Sequence, residues 1–320
     1  MATPNLRGGI DLGGTKIEAI IVNDVNDVLG SARQPTPTQG GPADVAKEMA
    51  ATLNRAALAA KTNARSLVGV GVGSPGTIDA DNGVVSSARN LPGWDGSFEL
   101  GPELERVLET KVKVGNDVQV AIEAEYKLGA GRKYKSLVGA FWGTGVGGGI
   151  VLNGELWHGR GGAGEIGHMV VKVDGRLCPC GNKGCLEAYA GRAAMEAHAR
   201  KLHKKGAETD LIKVMRAKGH ERFTSAVWAE AVERKDKLAT ELIDRAVEML
   251  GVGIASTCNL LDVEAVLIGG GLGVRFGQPY VERIRHAMQP HLFPGHRPPI
   301  VELVGLGDLG GALGAALLVA

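Results

Sequence analysis

The tightest constraint on this chain lies between Glu165 and Glu187. There Glu165-Ile166-Gly167-His168 is followed by Cys178-Pro179-Cys180-Gly181-Asn182-Lys183-Gly184-Cys185-Leu186-Glu187. Three of the four cysteines fall in this stretch. A Cys-x-Cys-x4-Cys spacing is too tight for a disulfide framework, because Cα atoms so close in sequence rarely reach bridge geometry. It suits a metal loop, in which thiolates on a Gly-rich turn converge at about 2.3 Å on one tetrahedral Zn²⁺ with a nearby imidazole as fourth ligand. His168, Cys178, Cys180 and Cys185 fill four positions and leave none for an activated water. The metal therefore reads as structural, a staple that holds Glu165, His168 and Glu187 in place. A redox or free-thiol cluster is the competing account of the same spacing.

At 320 residues the chain is long for one domain and comfortable for two. Its 36 basic and 35 acidic residues leave a net charge of +1, so there is no electrostatic footprint for nucleic acid or an anionic membrane. No apolar run reaches the length of a membrane span, and Met1-Ala2-Thr3-Pro4 has neither a basic nor an apolar leader region. The expectation is a cytoplasmic protein whose reduced cysteines are free to bind metal. Cys258, among Ile254, Leu260 and Leu261, reads as a core filler. The 49 glycines stand beside apolar runs, which implies tight turns and close approaches of backbone to ligand.

Arg7–Asp11 and Ile17–Asn23 read as strands flanking Leu12-Gly13-Gly14-Thr15-Lys16, and Val28–Gln34 as a third strand after a turn. Glycines in the first turn let backbone N–H groups converge on an anion; the same Asp-x-Gly-Gly-Thr pattern also fits a plain hairpin turn. Pro42–Lys61 reads as an amphipathic helix with Val45, Met49, Leu53 and Leu58 on its apolar stripe. Leu67–Gly73 reads as a buried strand ending in Ser74-Pro75-Gly76. Gly71-x-Gly73-x-x-Gly76 matches the dinucleotide fingerprint as a bare pattern, but Pro75, Asp79, Asp81 and Asn82 follow where a helix should begin. Asn90-Leu91-Pro92-Gly93-Trp94 reads as a rigid loop.

Glu99–Leu108 is a predicted helix, and Lys111–Gly115 a strand that delivers Asn116-Asp117 at its C-terminal end, where ligands bind in open α/β sheets. Asp117 could equally cap the helix over Val118–Leu128. Ser136–Trp142 and Val146–Leu152 form a second strand pair, joined by Gly143-Thr144-Gly145-Val146-Gly147-Gly148-Gly149. The β-turn-β unit thus occurs twice, and two such loops facing each other could grip one polyphosphate; a Gly-rich hairpin without a ligand is the alternative. Further short strands are expected over Glu155–Val173, then helices over Leu186–Lys204, Ala207–Ala217, Ser225–Arg234 and Leu238–Leu260. Glu264–Ile268 reads as a strand, Gly269–Gly273 as a turn, Arg275–Pro290 as a helix, Ile300–Val304 as a last strand and Leu309–Val319 as a buried terminal helix.

Taken together, these motifs resemble the ROK family of sugar kinases, within the actin-like, hexokinase-type ATPase superfold. Asp11-Leu12-Gly13-Gly14-Thr15-Lys16 matches the family's first phosphate loop and Gly143–Gly149 its second. Glu165–His168 matches Glu-x-Gly-His, Cys178–Glu187 the zinc loop, Asn116-Asp117 the catalytic Asn-Asp, and Gly269-Gly270-Gly271 the adenosine turn. Val118-Gln119 departs from the Ala-Asn more often expected there. The resemblance implies two RNase H-like α/β domains with sugar and ATP in a cleft between them, and a structural zinc loop. The small domain is expected over residues 1–117 with 307–320, and the large domain, carrying the zinc loop and helices, over 118–306. It implies Asp117 as general base, and Gly76, Asn90, Asn116, Asp117, Glu165, His168 and Glu187 on the sugar. Asp11 would hold Mg²⁺, and Gly13, Gly14, Thr15, Lys16, Thr144, Gly145, Gly147, Gly270 and Gly271 the nucleotide. His168 would bind zinc through one ring nitrogen and face the sugar with its other edge.

Glucose is the expected substrate, with fructose, mannose, N-acetylglucosamine and N-acetylmannosamine behind it, and inorganic polyphosphate an alternative donor to ATP. A homodimer is expected, with the apolar helices after residue 235 available to support it. The family also contains sugar-responsive repressors; these would carry a helix-turn-helix domain before the first phosphate loop, where only ten residues precede Asp11 here. A dehydrogenase built on Gly71–Gly76 would need an acidic residue on a following strand, whereas Asp95 lies in the Pro/Gly/Trp loop.

Overall fold

The computed structural model describes residues 5–88, 91–295 and 297–320. The chain divides into two compact units, residues 1–129 with 305–320 and residues 130–304.

In the first unit, three consecutive antiparallel strands, β1 (Arg7–Leu12), β2 (Lys16–Val22) and β3 (Val28–Pro35), are joined by tight turns. Helix α1 (Pro42–Ala59) then returns the chain so that β4 (Gly69–Ser74) runs parallel to β1. The α1 stripe buries Val45, Met49 and Leu53, but Leu58 is 77% exposed; Ala56 and Ala57 continue the apolar face in its place. After β4 comes a small antiparallel sheet absent from the sequence reading: β5 (Thr77–Asp79), β6 (Val84–Ser86) and β7 (Ser97–Phe98). Its strands are too short for a period-2 pattern to register. Because β5 follows Gly76 where a dinucleotide fold needs a helix, the Gly71–Gly76 match is accidental. Trp94, read as the end of an irregular loop, is buried and donates its indole N–H to the Val85 carbonyl (3.2 Å).

Helix α2 (Leu100–Leu108) leads to β8 (Val112–Asn116), parallel to β4, and α3 (Asp117–Lys127) follows directly. The sheet order is β3-β2-β1-β4-β8. The helix over Gly310–Leu317 belongs to this unit and packs on β1, β4 and α3. It lies so close that a Cβ on Gly9 would sit 2.0 Å from the Ala312 carbonyl oxygen, and one on Gly71 1.7 Å from that of Ala315. Small residues on both sides are therefore obligatory. The sequence-based division after Asp117 is corrected here: α3 lies in the first unit, because its Ala124 shares a core with Ile20, Val22, Ala312 and Ala316.

The second unit repeats the plan. Strands β9 (Leu137–Trp142), β10 (Val146–Leu152) and β11 (Glu155–Leu156) are antiparallel; β12 (Ala265–Gly269) and β13 (Ile300–Leu303) run parallel to β9, in the order β11-β10-β9-β12-β13. The doubled β-turn-β seen in the sequence is thus one end of a doubled sheet, with the strand order and directions of an RNase H-like half in each copy.

The single helix expected over Leu186–Lys204 is broken. α4 (Glu187–Ala190) and α5 (Arg192–Lys204) are separated by Gly191, which is extended (φ −60°, ψ 129°) and crowded by Glu187, whose carbonyl oxygen a Cβ there would meet at 2.8 Å. α6 (Leu211–Ala217) and α7 (Ser225–Glu233) precede the long α8 (Lys237–Leu261), whose Leu242, Ile243, Ala246, Leu250 and Ile254 fill the core. That apolar face, which the sequence offered to a dimer, is used inside the unit. Cys258 is buried as expected. The turn expected over Gly269–Gly273 is shorter: α9 starts at Gly270 and runs to Met288, kinked at Gly277 (φ 64°, ψ −158°). Among the described residues no helix is long and apolar enough to cross a membrane.

Candidate active site

Asp11, Gly76 and Asn116-Asp117 all come to the C-terminal ends of the parallel strands β1, β4 and β8. Register pairs Asp11 with Gly73 and Gly73 with Gly115, which sets the backbones of Asp11 and Gly115 about 9–10 Å apart by strand spacing. The β1–β2 turn is closed by a Gly13 N–H bond to the Lys16 carbonyl (2.9 Å). It is pinned from outside by buried Thr36, whose hydroxyl donates to the Gly13 carbonyl (2.6 Å) and whose N–H donates to Thr15 (3.2 Å). Thr36 carries no motif and was missed. The Lys16 ammonium lies between Glu18 (3.4 Å) and Asp308 (3.8 Å), carboxylates that Arg33 also binds.

Asp11 keeps some surface as a residue, but its carboxyl is the enclosed part, with Gly311 packed against it so closely that a Cβ would lie 2.6 Å away. Burial pushes its pKa up to about 6, against the pull of Lys16 and with help from Glu18 and Asp308. A raised carboxyl pKa favours the folded state below the unfolded value of 3.8, and that contribution is lost as pH rises through about 6. Asp11→Asn, which removes the buried charge, is therefore expected to stabilise the ligand-free protein by on the order of 1–2 kcal/mol at pH 8 and hardly at pH 4. Thermal melts of both proteins at the two pH values check this; a Tm difference independent of pH would refute it.

The cap of α3 is not Asp117 but the residue before it. Asn116 is the N-cap, its side-chain oxygen accepting from Val118 N–H and Gln119 N–H (both 3.1 Å). Asp117 is the first helical residue, half-buried, with one carboxylate oxygen 2.9 Å from the Val118 nitrogen. Asn90 lies outside the described residues. Gly76, at φ +100°, stands where a Cβ would meet the Ser86 carbonyl at 2.6 Å.

In the second unit the β9–β10 turn is Gly143–Gly145, closed by a Gly143 N–H bond to the Gly145 carbonyl (3.0 Å); Gly147 sits inside β10 opposite Phe141. A Cβ on Gly143 would lie 3.6 Å from the Gly271 nitrogen, so this turn and the N-terminus of α9 at Gly270-Gly271 adjoin. That is an arrangement in which backbone N–H groups and a helix dipole favour an anion. Glu187 reaches the same turn from α4: its carboxylate accepts from Val146 N–H (2.9 Å). Gly167 packs on the Val146 carbonyl, where a Cβ would sit at 2.0 Å. One residue of β10 thereby ties Glu-x-Gly-His, the cysteine loop and the Gly/Thr turn together.

His168, Cys178, Cys180 and Cys185 bring their ligand atoms within 4.8 Å of one another. Cys178 Sγ lies 3.7 Å from His168 Nδ1, and Cys180 Sγ lies 3.7 Å from Cys185 Sγ. Sulfurs about 2.3 Å from a tetrahedral ion stand about 3.8 Å apart, whereas a disulfide needs about 2.05 Å. All four cysteines are free thiols. Burial pushes Cys178 up to about 12, while a backbone N–H from Asn182 holds Cys180 below the usual thiol range. Thiolates this close call for a cation between them, and the donor set fits Zn²⁺. Through its other nitrogen, Nε2, His168 faces Glu165 (3.9 Å).

A second residue that sequence reasoning passed over is Arg192, which joins α5 to the Gly/Thr turn. Its signal was a lone arginine directly after Gly191, in the stretch Ala188-Tyr189-Ala190-Gly191-Arg192.

This combination of doubled sheet, two Gly/Thr turns and a Cys₃His loop defines a family. The ROK family model matches residues 7–320, and the chain belongs to the ROK family. A glucokinase from Thermotoga maritima is 32% identical over 97% of this chain and 96% of its own length. Among solved structures, a ROK hexokinase from Thermus thermophilus is similar at 32% identity, with a TM-score of 0.76, covering 98% of this chain and 97% of that one. A ROK family glucokinase from Streptomyces griseus, in complex with glucose and AMPPNP, is similar at 30% identity, with a TM-score of 0.84 and coverage of 98% of each chain.

Proposed function

We propose that the chain is an ATP-dependent hexose kinase that phosphorylates the 6-hydroxyl of glucose, with Asp117 as general base. The observation that carries this reading is the bond from Val146 N–H to Glu187. It puts a carboxylate suited to sugar hydroxyls and a turn suited to phosphate oxygens on one framework. Full-length similarity to proteins named glucokinase and hexokinase supports the same class and favours glucose.

A sugar alcohol is a poor nucleophile, and Asp117 takes its proton as the oxygen attacks the γ-phosphorus. The remaining work is positioning and charge. Gly13, Gly14, Thr15 and Lys16, together with Thr144, Gly145, Gly147, Gly270 and Gly271, bind the nucleotide, and Asp11 would hold the Mg²⁺ that accompanies it, which would neutralise charge on the phosphates. Gly76, Asn90, Asn116, Glu165, His168 and Glu187 bind the sugar; carboxylates and amides offer it directional acceptors and donors. His168, Cys178, Cys180 and Cys185 would hold a structural Zn²⁺, which would cross-link the loop without entering the chemistry. Reduced, metal-spaced thiols suit the cytoplasm. A homodimer is the proposed assembly, with exposed apolar side chains of the second unit such as Val173 (81%), Leu177 (70%) and Leu260 (81%) available to form it.

A coupled ADP-release assay over glucose, fructose, mannose, N-acetylglucosamine and N-acetylmannosamine tests this. A parallel measurement of glucose 6-phosphate with polyphosphate replacing ATP tests the donor. Glucose with ATP is expected to give the highest kcat/KM; a higher value for another sugar or for polyphosphate would overturn that assignment.

A further inference from the structure

Arg192 is the first residue of α5, directly after the break at Gly191, and it is only 6% exposed. Its guanidinium donates to the Thr144 hydroxyl (2.8 Å) and to the Phe223 carbonyl (3.0 Å), while its backbone N–H donates to the Gly143 carbonyl (3.1 Å). Ala193 N–H adds a bond to the Thr144 carbonyl (3.0 Å). The first turn of α5 thus grips both residues at the tip of the β9–β10 turn. A buried arginine ordinarily has a carboxylate against it. Among the described residues none lies within 4.0 Å of this one. Glu196, one helical turn on, is engaged by Arg200 (2.7 Å) and by Phe223 N–H (3.0 Å). Burial holds the Arg192 guanidinium below its ordinary range, with Glu196 opposing that shift and Arg222 adding to it. A full positive charge therefore stands, without a neutralising contact, directly behind a turn whose backbone is shaped for an anion.

We propose that Arg192 is a positioning residue for the phosphate donor: it fixes the Thr144 hydroxyl in one orientation, and its charge, unneutralised in the free protein, is balanced by the donor's phosphates when they occupy the Gly143–Gly145 turn. This rests on the reading that the turn receives the donor. The interaction is charge-assisted and runs through Thr144, so removing either residue removes the same contact.

The test is steady-state kinetics on Arg192→Met, Thr144→Val and the double variant, with melting temperatures and calorimetric glucose binding without nucleotide. Arg192→Met is expected to raise the KM for ATP about tenfold or more while glucose affinity stays within twofold. The double variant is expected to be no worse than the poorer single one. Added guanidinium ion is expected to recover part of the ATP affinity of Arg192→Met. If Arg192→Met does not fold, Arg192→Lys, which cannot make both bonds from a planar fork, is expected to raise the ATP KM at least threefold. An unchanged ATP KM, equal loss of ATP and glucose affinity, or additive effects would overturn the proposal. If Thr144→Val raises the ATP KM and Arg192→Met does not, only the role of Arg192 fails. If Thr144→Val itself leaves the ATP KM unchanged, the donor reading of the turn fails with it.

Discussion

Asp117→Asn is expected to lower kcat for glucose by about 10² to 10⁴, the usual worth of a positioned general base, with glucose affinity within a few-fold of wild type. The substitution keeps the helix cap. Asn116, not Asp117, is the helix cap, accepting from Val118 and Gln119 N–H groups. Asparagine at the first helical position keeps nearly the same volume and an acceptor for Val118 N–H, so the melting temperature should move by only a degree or two. Progress curves and equilibrium glucose binding separate the two effects. A variant within tenfold of wild-type kcat would remove Asp117 as base. One that loses glucose affinity and kcat in parallel would make it a binding group instead.

The second large effect is expected from the metal loop. Stripping zinc, or Cys180→Ser, should raise the glucose KM by about 10-fold to 10²-fold, the penalty for displacing groups by an ångström or so, while kcat falls less. Without a cation, the buried Cys178 and Cys185 thiols, both pushed up by burial, become neutral. The loop is then left with backbone bonds such as Cys178 N–H to Asn182 (2.8 Å) and Gly184 N–H to Arg176 (2.8 Å). His168 loses its anchor through Nδ1 and carries Glu165 with it, whereas Asp117 belongs to the other unit. Elemental analysis for bound metal, hydrogen exchange across residues 176–186 and kinetics should be run on the same sample. Verified metal-free protein with an unchanged glucose KM would dismiss the bracing role.

The features legible in the sequence were those fixed by local rules. Gly13-Gly14 and Gly143–Gly145 announced tight turns between apolar strands, and the Cys/His spacing announced a metal loop. What escaped depended on distant packing. Nothing in the pattern near Gly191 announces that the helix breaks there; the break shows only once α5 is folded onto the Gly143-Thr144 turn. Periodicity gave α3 as a helix but could not assign it to a unit, because the partner that claims Ala124 lies beyond residue 309. Arg192 looked like one polar residue in an alanine run until α5 folded onto the turn. Leu58 stands five residues after Leu53, outside the three- and four-residue steps of the stripe, so it faces solvent while Ala56 and Ala57 hold the buried positions.

The helix at Gly310–Leu317 has a consequence for how the protein is made. It covers β1 and β4 through the closest backbone contacts of that sheet, and it closes the wall around Asp11. On the ribosome these residues emerge after every residue of the second unit. The half whose strands are translated first must therefore wait, with Ile20 and Val22 uncovered, and is the last to become native.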